Sequence, residues 1–249
     1  MSGNTQPVFK RVLLKLSGEF LAASDDGTGI DPHKADEIAR RIKSIHEMGV
    51  QVAIVIGAGN LWRGNLGVKH GMDQATADYM GMIATVMNGM ALQDSLKQIG
   101  VDSRVQTAIE MNQVAEPYIR LRAIRHMEKG RVVILTGGTG NPFFTTDTAA
   151  ALRCKEINAD LLIKATKVDG IYTADPKKDS GAKRYKQLNF MDALQKQLRV
   201  MDSTAFTLCM DNNIPVVVLN FWQEGALERA ICGEEAGTFI ANNTPTIQA

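Results

Sequence analysis

Two kinds of hydrophobic pattern alternate along the chain. Short apolar runs rich in β-branched residues, at 8–16, 50–56, 103–108, 131–135, 160–166, 215–219 and 238–240, read as strands. The near-continuous ones, such as Val52-Ala53-Ile54-Val55-Ile56, suit strands buried on both faces of a parallel sheet. Between them apolar positions recur at helical spacing over 33–48, 73–96, 117–128, 148–157 and 225–231, and in two pieces of 189–213 that break near Met201-Asp202-Ser203. This alternation predicts an α/β fold with a mainly parallel open sheet. Segment 24–29 reads as a polar turn, 177–186 as a charged, glycine-containing mobile cover, and 1–7 and 241–249 as polar tails. With no internal repeat and no linker-like shift in composition, residues 1–249 are expected to form one domain.

The helix expected at 73–96 departs from the usual one-striped pattern. Ala75, Ala77, Tyr79, Met80, Met82, Ile83, Val86, Met87, Met90, Ala91 and Leu92 put apolar groups on nearly every side of it. Such a girdle should be buried twice, once on its own sheet and once on another subunit, which predicts a homo-oligomer. Asp78 is the exception, a carboxylate among apolar neighbours that needs a partner such as a ligand hydroxyl or an internal arginine.

Glycine turns follow several of the strands. Lys15-Leu16-Ser17-Gly18 closes the first, Gly57-Ala58-Gly59-Asn60 with Arg63-Gly64 closes the second, and Gly137-Gly138-Thr139-Gly140-Asn141-Pro142-Phe143-Phe144-Thr145-Thr146-Asp147 links the strand at 131–135 to a helix start capped by a threonine or by Asp147. In an open parallel sheet the C-terminal strand ends share one edge, so turns remote in sequence can converge on one crevice. Glycines let backbone N–H groups approach an oxyanion, and a helix N-terminus adds its dipole. Lys15 and Arg63 suit phosphate oxygens, although either also fits a solvated strand end. After the strand at 160–166, Lys167-Val168-Asp169-Gly170-Ile171-Tyr172-Thr173-Ala174-Asp175 gathers an aromatic ring, hydroxyls, carboxylates and lysine, enough to stack a base and bond a ribose, and equally consistent with a polar surface loop.

Composition narrows the choice of partner. Lys+Arg 28 against Asp+Glu 27 leaves a net charge of +1, which gives no reason to expect nucleic acid. The start is polar and the run Val12-Leu13-Leu14-Lys15-Leu16 is too short and too charged for a signal or a membrane span, so a cytoplasmic protein is expected. Cys154, Cys209 and Cys232 are odd in number and sit in apolar helical settings, which predicts reduced core thiols. The four histidines show no metal-ligand spacing. No Gly-x-x-x-x-Gly-Lys-Ser/Thr sequence occurs, which excludes the P-loop type of nucleotide kinase.

Lys15-Leu16-Ser17-Gly18-Glu19, the Gly57 to Gly64 turn, the run Gly138 to Asp147, and Lys164-Ala165-Thr166-Lys167-Val168-Asp169-Gly170 occur together and in this order. From about residue 8 to 240 the chain resembles the bacterial uridylate kinases (UMP kinases) of the amino-acid-kinase superfamily. Carbamate, glutamate and aspartate kinases share the first lysine-glycine turn, but not Asn-Pro-Phe-Phe-Thr-Thr-Asp. Two departures stand out: Ala58 replaces a third glycine, and the acidic turn at Asp25-Asp26 is lengthened. The resemblance implies a three-layer αβα sandwich with an acceptor-nucleotide part at roughly 8–157 and an ATP-binding part at roughly 158–240. It implies transfer of phosphate from ATP to UMP with Mg²⁺, in pyrimidine nucleotide synthesis. ATP would be bound by Lys15, Leu16, Ser17, Gly18, Gly59 and Arg63 at its phosphates and by Thr166, Tyr172 and Asp175 at adenosine, with Lys164 also taking phosphates. Ala58, Asp78, Thr139, Gly140, Asn141, Pro142, Phe143, Phe144, Thr145 and Thr146 would take UMP. Asp147 and Asp202 would orient lysine or magnesium, with Mg²⁺ carried mainly by the nucleotide phosphates and no protein ligand assigned. Hexamers built from dimers, GTP activation and UTP inhibition are usual among such relatives. A kinase for another small acceptor, or a nucleotide-sensing or storage assembly without turnover, also remains open on these residues.

Overall fold

The computed structural model describes residues 6–23, 27–176, 178–179, 181–198 and 200–249. The acidic turn expected around Asp25-Asp26 lies outside the described residues, as does Lys177 of the expected cover.

The chain runs β1 (Arg11–Leu16), a 3-10 turn (Gly18–Leu21), α1 (Pro32–Glu47), β2 (Gln51–Ile56), α2 (Gly64–Lys69), α3 (Gln74–Gln98), β3 (Ser103–Thr107), β4 (Glu116–Pro117), α4 (Arg120–Glu128), β5 (Val132–Thr136) and α5 (Thr146–Glu156). It continues with β6 (Leu161–Thr166), β7 (Tyr185–Asn189), α6 (Phe190–Gln195), α7 (Ser203–Asp211), β8 (Val216–Asn220), α8 (Ala226–Ile231), β9 (Thr238–Ala241) and β10 (Ile247–Gln248). All the strands join one sheet in the order β10-β7-β9-β8-β6-β1-β2-β5-β3-β4. Pairing is parallel except for β8 with β9 and β7 with β10.

Strand alternation sorts the core into two layers. Val12, Leu14 and Leu16 of β1 face a cluster with Ile38 and Ile42 of α1, Leu92 of α3 and Leu227 of α8. Leu13 of the same strand faces the other side, with Ala149 to Ala151 of α5, Phe190 of α6 and Phe206 of α7. Helices therefore cover both faces, giving the α/β sandwich the pattern predicts. Lys15 and Lys164 fall on the α5 face by the same alternation. The cysteines are unpaired thiols, and burial pushes those of Cys154 and Cys209 well above the ordinary value.

Several expected boundaries shift. The helix expected at 117–128 begins only at Arg120, because Glu116–Pro117 pairs as an edge strand with β3, a position where a residue lacking an N–H is tolerated. Part of the expected cover at 177–186 is structural: Tyr172 bridges Arg184, and Tyr185 opens β7 with its ring buried. The polar tail includes β10, which pairs antiparallel with β7. Helix α2 and the 3-10 turn were hidden by glycine, which weakens any helical pattern.

Candidate active site

The parallel registers bring the strand ends together. Leu16 of β1 is level with Ile56 of β2, so the Ser17 and Gly57 turns start side by side, and Gly57 N–H donates to Leu16 C=O at 2.9 Å. A Cβ on Gly18 would lie 2.5 Å from Gly57 O and 2.4 Å from Asn60 Oδ1, and one on Gly57 would lie 3.5 Å from Thr146 Oγ1. Glycine is thus required at position 18 by the convergence of these turns, whereas a Cβ at 57 would make only ordinary contacts. The Leu16 side chain is fully buried, leaving only its main chain for the site. Ala58 does not take a positive φ, so alanine there is unstrained. Phe143 does, at 72°, and its ring is exposed.

The opposite wall is the start of α5. Thr145 caps that helix, accepting from the N–H groups of Asp147 at 3.0 Å and Thr148 at 3.2 Å, and its hydroxyl donates to Asp202 Oδ2 at 2.5 Å. Asp202 in turn caps α7 through the Ala205 N–H at 3.0 Å and accepts from the Thr148 hydroxyl at 2.9 Å. It therefore fastens the first turns of two helices beside the lysines.

Between these walls, Lys15 and Lys164 occupy matched positions on adjacent strands, and Asp147 lies between their ammonium groups. Its Oδ1 is 2.8 Å from Lys15 Nζ and its Oδ2 is 2.5 Å from Lys164 Nζ, with all three side chains less than one-fifth exposed. Lys164 Nζ also donates to Val200 O at 2.7 Å. Burial pushes the Asp147 pKa up, but the two ammonium groups outweigh it and hold the carboxyl below its ordinary value. Burial pulls Lys164 down, aided by the charge of Lys15 and opposed by Asp147. The carboxylate orients both lysines, and the group retains an excess of positive charge.

A cavity opens on each side. One, of about 550 Å³, is lined by Ala58, Gly59, Arg63, Asp78, Thr139, Phe144, Thr145 and Thr146 among the expected residues. Gly140, Asn141, Pro142 and Phe143 do not line it and continue the same loop past its rim. The second, of about 540 Å³, is lined by Lys164, Thr166, Tyr172 and Asp175, with Lys196, Gln197 and Leu198 across from them. Both lie in the size range of small-ligand sites. Lys164 lines the second cavity and Thr145-Thr146 the first, while Lys15 and Asp147 line neither, so the Lys15-Asp147-Lys164 group stands between the two.

Some residues have internal partners. Asp78 accepts from the Phe143 N–H at 2.7 Å and from Gln74 Nε2 at 2.8 Å. Arg63 pairs with Glu19 at 3.1 Å and donates to Gly59 O at 3.1 Å. Tyr172 donates to Asp169 Oδ1 at 2.7 Å, and the Thr166 hydroxyl is 2.5 Å from Val168 O. Ser17 caps the 3-10 turn through the Glu19 N–H at 3.4 Å. Sequence reasoning assigned no role to Glu19, Trp62, Thr85 or Asn88. Of these only Glu19 carries a local signal, by following the lysine-glycine turn directly. Among the described residues no group of His, Cys, Asp or Glu is placed to hold a metal ion by itself, and no helix is long and apolar enough to cross a membrane.

Two small-ligand-sized cavities lie on either side of a pair of buried ammonium groups, on a mainly parallel sheet. The amino acid kinase family model matches residues 10–220, and the chain belongs to that family. Within it the chain stands with the UMP kinases. The structure of UMP kinase from Bacillus anthracis matches at TM-score 0.93 and 41% identity over 97% of this chain and 99% of that one. UMP kinase from Ureaplasma parvum matches at TM-score 0.88 and 35% identity over 93% of this chain and 98% of that one. Uridylate kinase from Archaeoglobus fulgidus matches at TM-score 0.70 and 30% identity over 92% and 99%.

Proposed function

We propose that this chain transfers the γ-phosphoryl group of ATP to UMP, giving ADP and UDP in pyrimidine nucleotide synthesis. The observation that carries this reading is the Lys15-Asp147-Lys164 group between two cavities. The first cavity takes UMP, with Arg63, Thr145, Thr146 and the Ala58-Gly59 turn near its phosphate. Asp78 and the 139–144 loop hold its nucleoside. The second takes ATP, with Thr166, Tyr172 and Asp175 around adenosine. Lys15, Lys164 and the Leu16-Ser17-Gly18 turn reach its terminal phosphates. The division follows an acceptor part at roughly 8–157 and an ATP part at roughly 158–240 of a single kinase domain.

The chemistry asks little beyond alignment and charge neutralisation. The second pKa of a nucleoside monophosphate is about 6, so the attacking oxygen is already ionised at neutral pH and no general base is needed. That oxygen forms a bond to the γ-phosphorus in line with the departing ADP oxygen, which leaves with the bonding electron pair. The ammonium groups of Lys15 and Lys164, preoriented by Asp147, face the charge spreading over the transferred group. Asp147 and Asp202 offer hard carboxylate oxygens but are already engaged by lysines and helix caps, which fits a Mg²⁺ that arrives on the nucleotide. When bound with the nucleotide, Mg²⁺ would neutralise part of the phosphate charge. By likeness to the bacterial relatives, we place the protein in the cytoplasm as a homohexamer assembled from dimers, activated by GTP and inhibited by UTP.

The test is an acceptor panel with radiolabelled ATP and Mg²⁺: UMP, CMP, AMP, carbamate, glutamate and aspartate. Labelled UDP as the dominant product is expected. Preference for another acceptor overturns the assignment, and undetectable UDP at saturating substrates points to a sensing or storage assembly.

A further inference from the structure

One side of α3 carries polar groups that reach the turns of the first cavity. Asn88 is fully buried and Asn60 is 3% exposed, and their amides clasp each other: Asn88 Nδ2 donates to Asn60 Oδ1 at 2.8 Å, and Asn60 Nδ2 donates to Asn88 Oδ1 at 3.0 Å. The remaining amide protons go to main-chain carbonyls, Asn88 to Gly57 O at 2.8 Å and Asn60 to Gly29 O at 2.7 Å. Every amide N–H of the pair is therefore used, and turning either amide over would point donors at donors. Gly57 O and Asn60 Oδ1 are also the atoms that lie closest to Gly18, so the clasp forms the floor beneath two glycine turns.

A turn earlier in the helix, the Thr85 hydroxyl donates to Met82 O at 2.6 Å and accepts from the Gly137 N–H at 2.8 Å. Thr85 is itself 5% exposed and lines the first cavity. Gly89 permits this approach, since a Cβ there would lie 2.6 Å from Thr136 Cγ2 of β5. Buried amides add nothing to a core that leucine would not supply at lower desolvation cost. What they add here is a fixed main-chain position.

We propose that Asn88 and Thr85 are positioning residues for the acceptor nucleotide, setting from α3 the backbone of the 57–60 and 137–140 turns. The proposal rests on the first cavity being the acceptor site. Neither side chain acts on the transferred group; each acts through a turn that borders the nucleotide.

The experiment compares wild type with Asn88→Ala and the near-isosteric Thr85→Val. It measures KM for UMP, KM for ATP, kcat, and amide hydrogen exchange over 161–166 and over the turn each residue holds, which is 57–63 for Asn88 and 137–140 for Thr85. Loss of the three buried hydrogen bonds of Asn88 in Asn88→Ala should raise KM for UMP on the order of tenfold and KM for ATP by a smaller factor. Exchange should quicken over 57–63 and stay at the wild-type rate over 161–166. Thr85→Val should shift KM for UMP the same way by a smaller factor, and it decides the matter if Asn88→Ala does not fold. Equal changes in both KM values, or wild-type exchange over 57–63 in Asn88→Ala or over 137–140 in Thr85→Val, overturns the proposal. Should the wild type fail to phosphorylate UMP, the acceptor reading falls, while the exchange data still judge whether α3 holds the turns.

Discussion

At the scale of single residues, the balance of charge around Asp147 decides most. Removing Lys15 leaves the carboxylate paired with Lys164 alone and takes one preoriented cation from the site. Lys15→Ala should lower kcat by about two orders of magnitude or more with an unchanged far-ultraviolet spectrum, as loss of a preorganised charge contact does. Unaltered kcat would remove the lysine from the mechanism. Asp147 also makes a pH prediction. Its folded pKa is lowered, so its contribution to stability is complete above the unfolded carboxyl value of about 3.9 and is lost as pH falls through the folded value. Asp147→Asn should therefore flatten the acid limb of an unfolding-free-energy profile; a limb as steep as in wild type would argue that the pair is broken in solution. The lysine-glycine turns were legible in the sequence because their residues are neighbours along it. The Asn60 and Asn88 clasp was not, since an asparagine inside an apolar helix pattern gives no sign of which distant carbonyl it meets.

Whole elements obey the same rule. Strands β1, β2, β5, β6 and β8 were readable as largely apolar runs, interrupted in β1 and β6 by Lys15 and Lys164, because both faces are mostly buried. Strand β7 escaped notice because its Lys186 is exposed and only Tyr185 and Leu188 are buried, and β10 is a two-residue edge strand with both side chains exposed. For α3 the pattern of an all-round apolar helix is half explained by its own sheet. Tyr79, Met80, Ile83, Met87 and Met90 remain 38–52% exposed along its outer side, the surface expected to meet a second copy. Light scattering at micromolar concentration should give an oligomer. Ile83→Glu with Met87→Glu should reduce its mass, because burying carboxylates against apolar side chains is costly. A monomeric wild type would leave that surface unexplained.

For the molecule as a whole, the order of strands matters more than any one of them. The elements up to α5 build the sheet outward from β1 on one side, and those from β6 onward build it on the other. The convergence of turns at the β1 end was predictable from parallel pairing alone. Which residues face the cavities was less so, because it depends on register and on whether a side chain is already engaged, as Asp78 and Tyr172 are.

That arrangement also means that, among the described strands, the chain passes from one side of the sheet to the other just once, in the short connection from Glu156 to Leu161. Polypeptides 1–157 and 158–249, produced together, should recognise each other through β1 against β6 and α5 against α7, restoring catalysis only when both are present. The protein is thus a natural candidate for a split reporter, its signal being turnover regained by two halves that are separately silent.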